Sequence, residues 1–294
     1  MNLTEFINDR IKLVDAALDR LTPPATEHPA TIHKAMRYSL FAGGKRIRPI
    51  LCLQAAEAVT LNAPGVLNAA CSLEMIHTYS LIHDDLPALD NDDFRRGKPT
   101  CHKVFGDAMA ILAGDALFTL AIQALVQAEG LSAEQRLGLV TELSVASGTL
   151  NGMIGGQVTD IEGEGQPPTP ELLELIHKAK TGALLRASVR MGGICAAADA
   201  PHLAALTKYG EHVGLAFQIV DDILDIEESS EALGKTAGKD VAQGKITFPA
   251  VYGLDESRRM AREQCGLAHA AIQIFGDQAA RLHEIADLIV YRKS

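Results

Sequence analysis

Two short runs of aspartate concentrate the chemistry of this chain. Asp84-Asp85-Leu-Pro-Ala-Leu-Asp90 follows the apolar run TYSLIH, and Asp221-Asp222-Ile-Leu-Asp225 follows LAFQIV. At ~100° and ~1.5 Å per helical residue, Asp221 and Asp225 share one face a turn apart, with Asp222 on the flank. Pro87 interrupts the first run, so Asp90 is expected to return towards Asp84 through a bulge. Carboxylates crowded in this way repel one another and cannot all ionise without cations, and oxygen-only donors select Mg²⁺ or Mn²⁺ over zinc. One Asp-Asp pair is ordinarily a solvated helix end; two matched clusters favour a bound cation. An EF-hand starting at Asp90 is excluded, because its sixth position is Arg95 and its twelfth Cys101.

Basic residues stand where a phosphate would need them. Gly43-Gly44-Lys45-Arg46-Ile47-Arg48-Pro49 offers a pliable backbone and three cations, and Arg95-Arg96 follows the first acidic cluster. Lys235, Lys239 and Lys245 lie on a Gly-rich segment, LGKTAGKDVAQGKI, suited to closing over an anion. Its Gly-Lys-Thr is not a nucleotide-binding P-loop: the required first glycine falls at Ser229, after a helical pattern instead of a strand. Carboxylates, a divalent cation, Arg and Lys together predict a polyphosphate ester as substrate.

The elements that must hold these groups read as helices. Ala and Leu recur at i, i+3 and i+4 from Thr4 onward, with breaks at Pro23-Pro24, Gly43-Gly44, Gly130 and the stretch GEGQPPTP. No strand-turn-strand pattern or linker interrupts them. The expectation is an all-α fold, one domain over residues 1–294, with about ten helices around a central hydrophobic cavity. With eight Phe, five Tyr and no Trp, the interior is largely aliphatic, which suits a hydrocarbon ligand. A net charge of −10 disfavours nucleic acid as a partner. Five scattered cysteines without a C-x-x-C spacing argue against disulfides or zinc and for a reducing cytoplasm. The N-terminus MNLTEFINDR lacks a signal-peptide pattern. The run ALFTLAIQALVQA falls short of the ~20 apolar residues of a membrane span, so no span is expected.

The segments GGKRIRP, EMIHTYSLIHDDLPALDNDDFRRGKPTCH, GGQVTD, KTGALL, FQIVDDILD and LGKTAGKD occur in the order found in trans-isoprenyl diphosphate synthases. Over nearly its whole length the chain resembles that family, and within it the bacterial farnesyl diphosphate type. The resemblance implies the isoprenoid synthase fold, a homodimer and head-to-tail condensation of isopentenyl diphosphate with dimethylallyl and geranyl diphosphate. It also implies three Mg²⁺, for which Mn²⁺ can substitute, on Asp84, Asp85 and Asp90 of one helix and Asp221, Asp222 and Asp225 of another.

By the same resemblance, Arg95, Lys180, Lys235 and Lys245 hold the allylic diphosphate, and Thr181 and Gln218 shelter the allylic cation. Lys45, Arg48, His77 and Arg96 hold isopentenyl diphosphate, Gln157 and Asp160 orient the site, and Arg292 belongs to a basic tail covering it. Tyr79 and Ser80 set chain length. Cys101 and His102 are read as structural. The alternatives are a geranyl or geranylgeranyl diphosphate synthase, or a non-catalytic subunit of a prenyl synthase. A terpene cyclase is disfavoured by the second aspartate-rich motif.

Overall fold

The computed structural model describes residues 2–227 and 245–292. In chain order its α-helices are α1 (Leu3–Leu21), α2 (Ala30–Leu40), α3 (Ile47–Val59), α4 (Val66–Asp84), α5 (Cys101–Phe105), α6 (Asp107–Val126), α7 (Ala133–Ser147), α8 (Met153–Gly163), α9 (Pro170–His177), α10 (Ala183–Cys195), α11 (Ala200–Glu227), α12 (Phe248–Tyr252), α13 (Leu254–Ala271) and α14 (Ala280–Tyr291). A π-helical turn, Lys178–Gly182, joins α9 to α10, and a 3₁₀ segment, Gln273–Ala279, joins α13 to α14. The fold is all-α. Short pieces raise the helix number above the ten expected.

Local chemistry explains the boundaries. Asn2 opens α1 with a reciprocal cap, its side chain accepting from the Glu5 amide while Glu5 accepts from the Asn2 amide. Ser132 and Gln135 do the same for α7. The outer helices α1 and α13 are amphipathic, whereas α3 and α4 are apolar nearly all round because they lie inside the bundle. One core packs α4 against α6, α7 and α10 through Leu73, Ile76, Leu117, Leu139 and Leu184. A second joins α3, α10, α11 and α14 through Leu51, Val189, Tyr209 and Ile285, with the buried Tyr209 hydroxyl donating to the Leu282 carbonyl at 2.7 Å. A third gathers Ile176, Ile219, Ile223 and Phe248 beneath the second aspartate cluster.

Two expectations need correction. The chain does contain strands: Phe94–Arg95 (β1) pairs antiparallel with Lys98–Pro99 (β2). Arg96 and Gly97, at φ 53° and 73°, form the tight turn between them, and only Gly97 signals it in the sequence. Strands of two residues are too short to show alternation. Second, the apolar run after Asp115 belongs to a longer helix. α6 has 20 residues, with a mean hydropathy of 1.9 over its most apolar 18, long and apolar enough by length and composition to cross a membrane. Its Ala110, Ala113, Leu117 and Ala121 are nevertheless buried against α4, while Ile111, Leu112 and Val126 stay exposed.

The approach of α10 to α3 depends on one glycine. A Cβ at Gly192 would lie 2.2 Å from the Cys52 carbonyl oxygen, backbone that cannot swing aside. Gly192→Ala is expected to cost about 1–3 kcal/mol by forcing the helices apart, read as a lower urea midpoint; an unchanged midpoint would show that the pair has slack.

Candidate active site

The first aspartate cluster caps α4. Asp84 is the last helical residue and Asp85 the C-cap, so both carboxylates sit at the negative end of the helix dipole, which raises their demand for cations. Asp90 is off the helix, contrary to the single-helix placement, and the loop folds it back. Its amide donates to the Asp84 carbonyl at 2.8 Å, and the Asp92 amide to the Asp85 carbonyl at 3.2 Å. Burial pushes the Asp84 carboxyl up to about 6, opposed by the charge of Lys180. Arg95, on β1, forks onto Asp85 with contacts of 2.6 to 2.9 Å, and Lys245 stands 3.4 Å from Asp90.

The second cluster lies in the last turns of α11. Asp222 and Asp225 are both 3% exposed, whereas Asp221 opens to solvent and the cavity. Asp221 and Asp225 keep the expected one-turn spacing within continuous α11, but they differ in burial: Asp225 is buried with Asp222, against which Phe248 of α12 and His177 of α9 lie, while Asp221 is exposed. The Phe248 amide donates to Asp222 at 2.9 Å, Gln218 Nε2 donates to its other oxygen at 2.7 Å, and Thr181 Oγ1 donates to Gln218 Oε1 at 2.7 Å. His177, stacked on Phe248, brings Nε2 to 3.6 Å from Asp222. Burial depresses its pKa to about 4, so the ring is neutral. Nothing in the spacing of His177 or Phe248 singled them out.

Lys180 and Thr181 occupy the π-helical turn, a local widening that often marks functional sites. Lys180 donates to Asp160 at 2.6 Å. The turn sits against α8 because Gly156 has no side chain: a Cβ there would be 2.2 Å from the Lys180 amide nitrogen.

The two clusters meet. A cavity of about 590 Å³ is lined by Asp84 and Asp221 together with Lys180, Thr181, Tyr79 and Ser80, and Gln157 also borders it. Tyr79 is 7% exposed, edge-on to Phe118 of α6 at 5.4 Å. Arg48, His77, Arg96 and Phe217 line both this cavity and a second of about 320 Å³, which adds Lys45 and Arg292. In that basic hollow burial, then neighbouring cations, lowers the pKa of Lys45 and holds His77 well below the usual imidazole range. Such an excess of positive charge around one hollow suits an anion.

Arg46, the third cation of the Gly-Gly-Lys segment, is turned inward onto Glu74 at 2.6 Å and Asp15 at 2.9 Å, anchoring the loop. The Arg96 guanidinium donates to the Gly43 carbonyl, and lies where a Gly44 side chain would otherwise stand. Arg292 pairs with Asp221 and lies 4.2 Å over the Phe217 ring, so the tail reaches the site. Cys101 and His102 are buried beside Thr100, away from these cavities' linings. Lys235 and Lys239 lie outside the described residues. The oxygen-only donors at Asp84 and Asp221, with Asp84 penalised for ionising alone, fit a hard divalent cation.

A polyprenyl synthetase profile matches residues 29–281. The chain is 46% identical over 296 residues to the heterodimeric geranylgeranyl pyrophosphate synthase large subunit 1 of Arabidopsis thaliana, covering 98% of this chain and 79% of that protein. It is 45% identical over 294 residues to the farnesyl diphosphate synthase of Geobacillus stearothermophilus, covering 99% and 98%. The crystal structure of geranylgeranyl pyrophosphate synthetase from Pyrococcus horikoshii superposes with a TM-score of 0.89 at 32% identity, over 99% of this chain and 98% of that one. With matched acidic clusters opening on one cavity and similarity along its full length, the chain belongs to the polyprenyl synthetase family and is a short-chain trans-prenyltransferase.

Proposed function

We propose that this enzyme is a farnesyl diphosphate synthase, joining isopentenyl diphosphate head to tail with dimethylallyl and then geranyl diphosphate. The observation that carries this reading is the shared cavity: Asp84 and Asp221 stand on its wall together with Tyr79, which lies about one and a half turns before Asp84 on α4. A charged mouth and an aromatic-walled interior match a diphosphate attached to a short hydrocarbon.

Asp84, Asp85, Asp90, Asp221, Asp222 and Asp225 would hold Mg²⁺, three ions in all, which when bound neutralises the diphosphate leaving group. Arg95 and Lys245 now rest on Asp85 and Asp90, and Lys180 on Asp160. On substrate binding these cations turn to diphosphate oxygens, so the carbon–oxygen bond breaks with its electron pair going to an oxygen already surrounded by positive charge. Thr181 Oγ1 and Gln218 Oε1, fixed by the chain of hydrogen bonds to Asp222, present neutral oxygen dipoles to the allylic cation. Isopentenyl diphosphate sits in the basic hollow of Lys45, Arg48, His77, Arg96 and Arg292, its double bond facing the cation. The new carbon–carbon bond forms from that double bond, and the released diphosphate accepts the proton lost to restore an alkene.

We further propose that the chain acts as one catalytic unit in the cytoplasm, where its five free cysteines would stay reduced, and that a second copy covers the exposed apolar side of α6. The competing reading is a geranylgeranyl diphosphate synthase, favoured by the naming of plant relatives at similar identity.

Incubation of the purified chain with Mg²⁺, isopentenyl diphosphate and geranyl diphosphate decides between them. A C15 product is expected; C20 as the main product favours the competitor, and no turnover favours a subunit role. Tyr79→Ala is expected to open the wall and shift the product to C20 or longer by chromatography, and an unaltered profile removes Tyr79 from length control. Gly156→Ala displaces the turn bearing Lys180 and Thr181 by a few tenths of an ångström or more. Its kcat should fall by about 10- to 100-fold with the fold intact; full activity would mean the turn is not positional.

A further inference from the structure

Away from the cavity, α13 and α14 bring four metal-competent side chains together. Cys265 and His269 are four residues apart on α13, and His283 and Asp287 four apart on α14, so each pair projects from one helix face. Cys265 Sγ lies 3.4 Å from Asp287 Oδ1, and His269 Nε2 lies 2.9 Å from the same oxygen. The candidate donor atoms of Cys265, His269 and Asp287 all fall within 4.8 Å of one another. A tetrahedral ion with bonds of ~2.0–2.3 Å needs donors about 3.3–3.8 Å apart, so small rotamer changes would close the set around a metal. His269 directs its other nitrogen, Nδ1, to His283 Nδ1 at 2.6 Å, with the rings stacked at 4.6 Å. A hydrogen bond at the far nitrogen is what orients a metal-ligating imidazole.

We propose that Cys265, His269 and Asp287 form a binding site for a zinc-class transition metal ion, with His283 fixing the His269 ring and water as the fourth ligand. Thiolate, imidazole and carboxylate together are softer than the oxygen-only clusters, so this site and the aspartates sort different ions. Cys265 is buried while His269 and Asp287 are partly open to solvent, which gives the ion an entry path. The ion would join α13, which packs along α11, to α14 five residues before Arg292. It acts as a staple for the helix that delivers Arg292 to Asp221, and takes no part in the chemistry. The spacing C-x₃-H with H-x₃-D was open to view, but a search for C-x-x-C passes over it.

The test is titration of the metal-stripped full-length protein with Co²⁺, with excess Mg²⁺ present to occupy oxygen-donor sites. One equivalent should produce tetrahedral cobalt bands and a thiolate-to-cobalt charge-transfer band, and Zn²⁺ should raise Tm. Cys265→Ser should remove the charge-transfer band and the Tm rise, while His283→Phe should weaken binding about 10- to 100-fold. His269→Gln, altering a partly exposed side chain, repeats the test if Cys265→Ser does not fold. No charge-transfer band in the unaltered protein, or the same Tm rise in the His269→Gln variant, overturns the proposal.

Discussion

Like charges held close together at the mouth of one cavity are the constraint on which the rest of this structure depends. Asp84 at the end of α4 and Asp221 near the end of α11 stand on the cavity wall, with Asp85 and Asp90 beside the first and the buried Asp222 and Asp225 behind the second. Carboxylates so placed need positive charge, and the chain supplies part of it. Arg95 neutralises Asp85, Lys245 approaches Asp90, and Arg292 pairs with Asp221. Asp84, half-buried and facing Asp90 and Asp85, carries a penalty for ionising, its carboxyl held up to about 6. Breaking one of these pairs would leave a poorly solvated charge, which is far more costly than an exposed one.

The scaffold answers that constraint with rigid packing around the polar groups. α4 is enclosed on most sides, so its C-terminal end cannot drift, and the Asp90 amide bonded to the Asp84 carbonyl fixes the loop that follows. On the opposite wall, Thr181, Gln218 and Asp222 form one hydrogen-bonded row ending at the Phe248 amide. The row runs from the half-buried Thr181 and Gln218 to the buried Asp222, where a lost bond is costly, which is how a polar network keeps a single geometry. The glycine at 156 admits the π-helical turn against α8, and the buried Arg46 with Glu74 and Asp15 anchors the loop carrying Lys45.

Much of this was legible in the residues. Aspartate spacing, the Gly-Gly-Lys and Arg-Arg segments and the helical periodicity named the chemistry, the helical class and most of the groups that gather at the cavity. What escaped reading has definite causes. The hairpin of Phe94–Arg95 with Lys98–Pro99 is too short to alternate, and the reach of α6 was hidden because Asp107 and Asp115 lie within its first turns. His177 is one histidine among ten until Phe248 stacks on it and Asp222 comes within 3.6 Å.

By itself the sequence determined which groups carry charge, how they repeat along a helix and where helices must stop, since these follow from covalent chemistry and local sterics. Only the tertiary structure decided that Asp222 is buried while Asp221 is open, that Arg46 points inward while Arg48 lines the cavity, and that Arg292 returns to a helix 71 residues earlier. Those choices depend on which neighbour excludes water from each side chain, and the neighbours come from helices far apart in the chain.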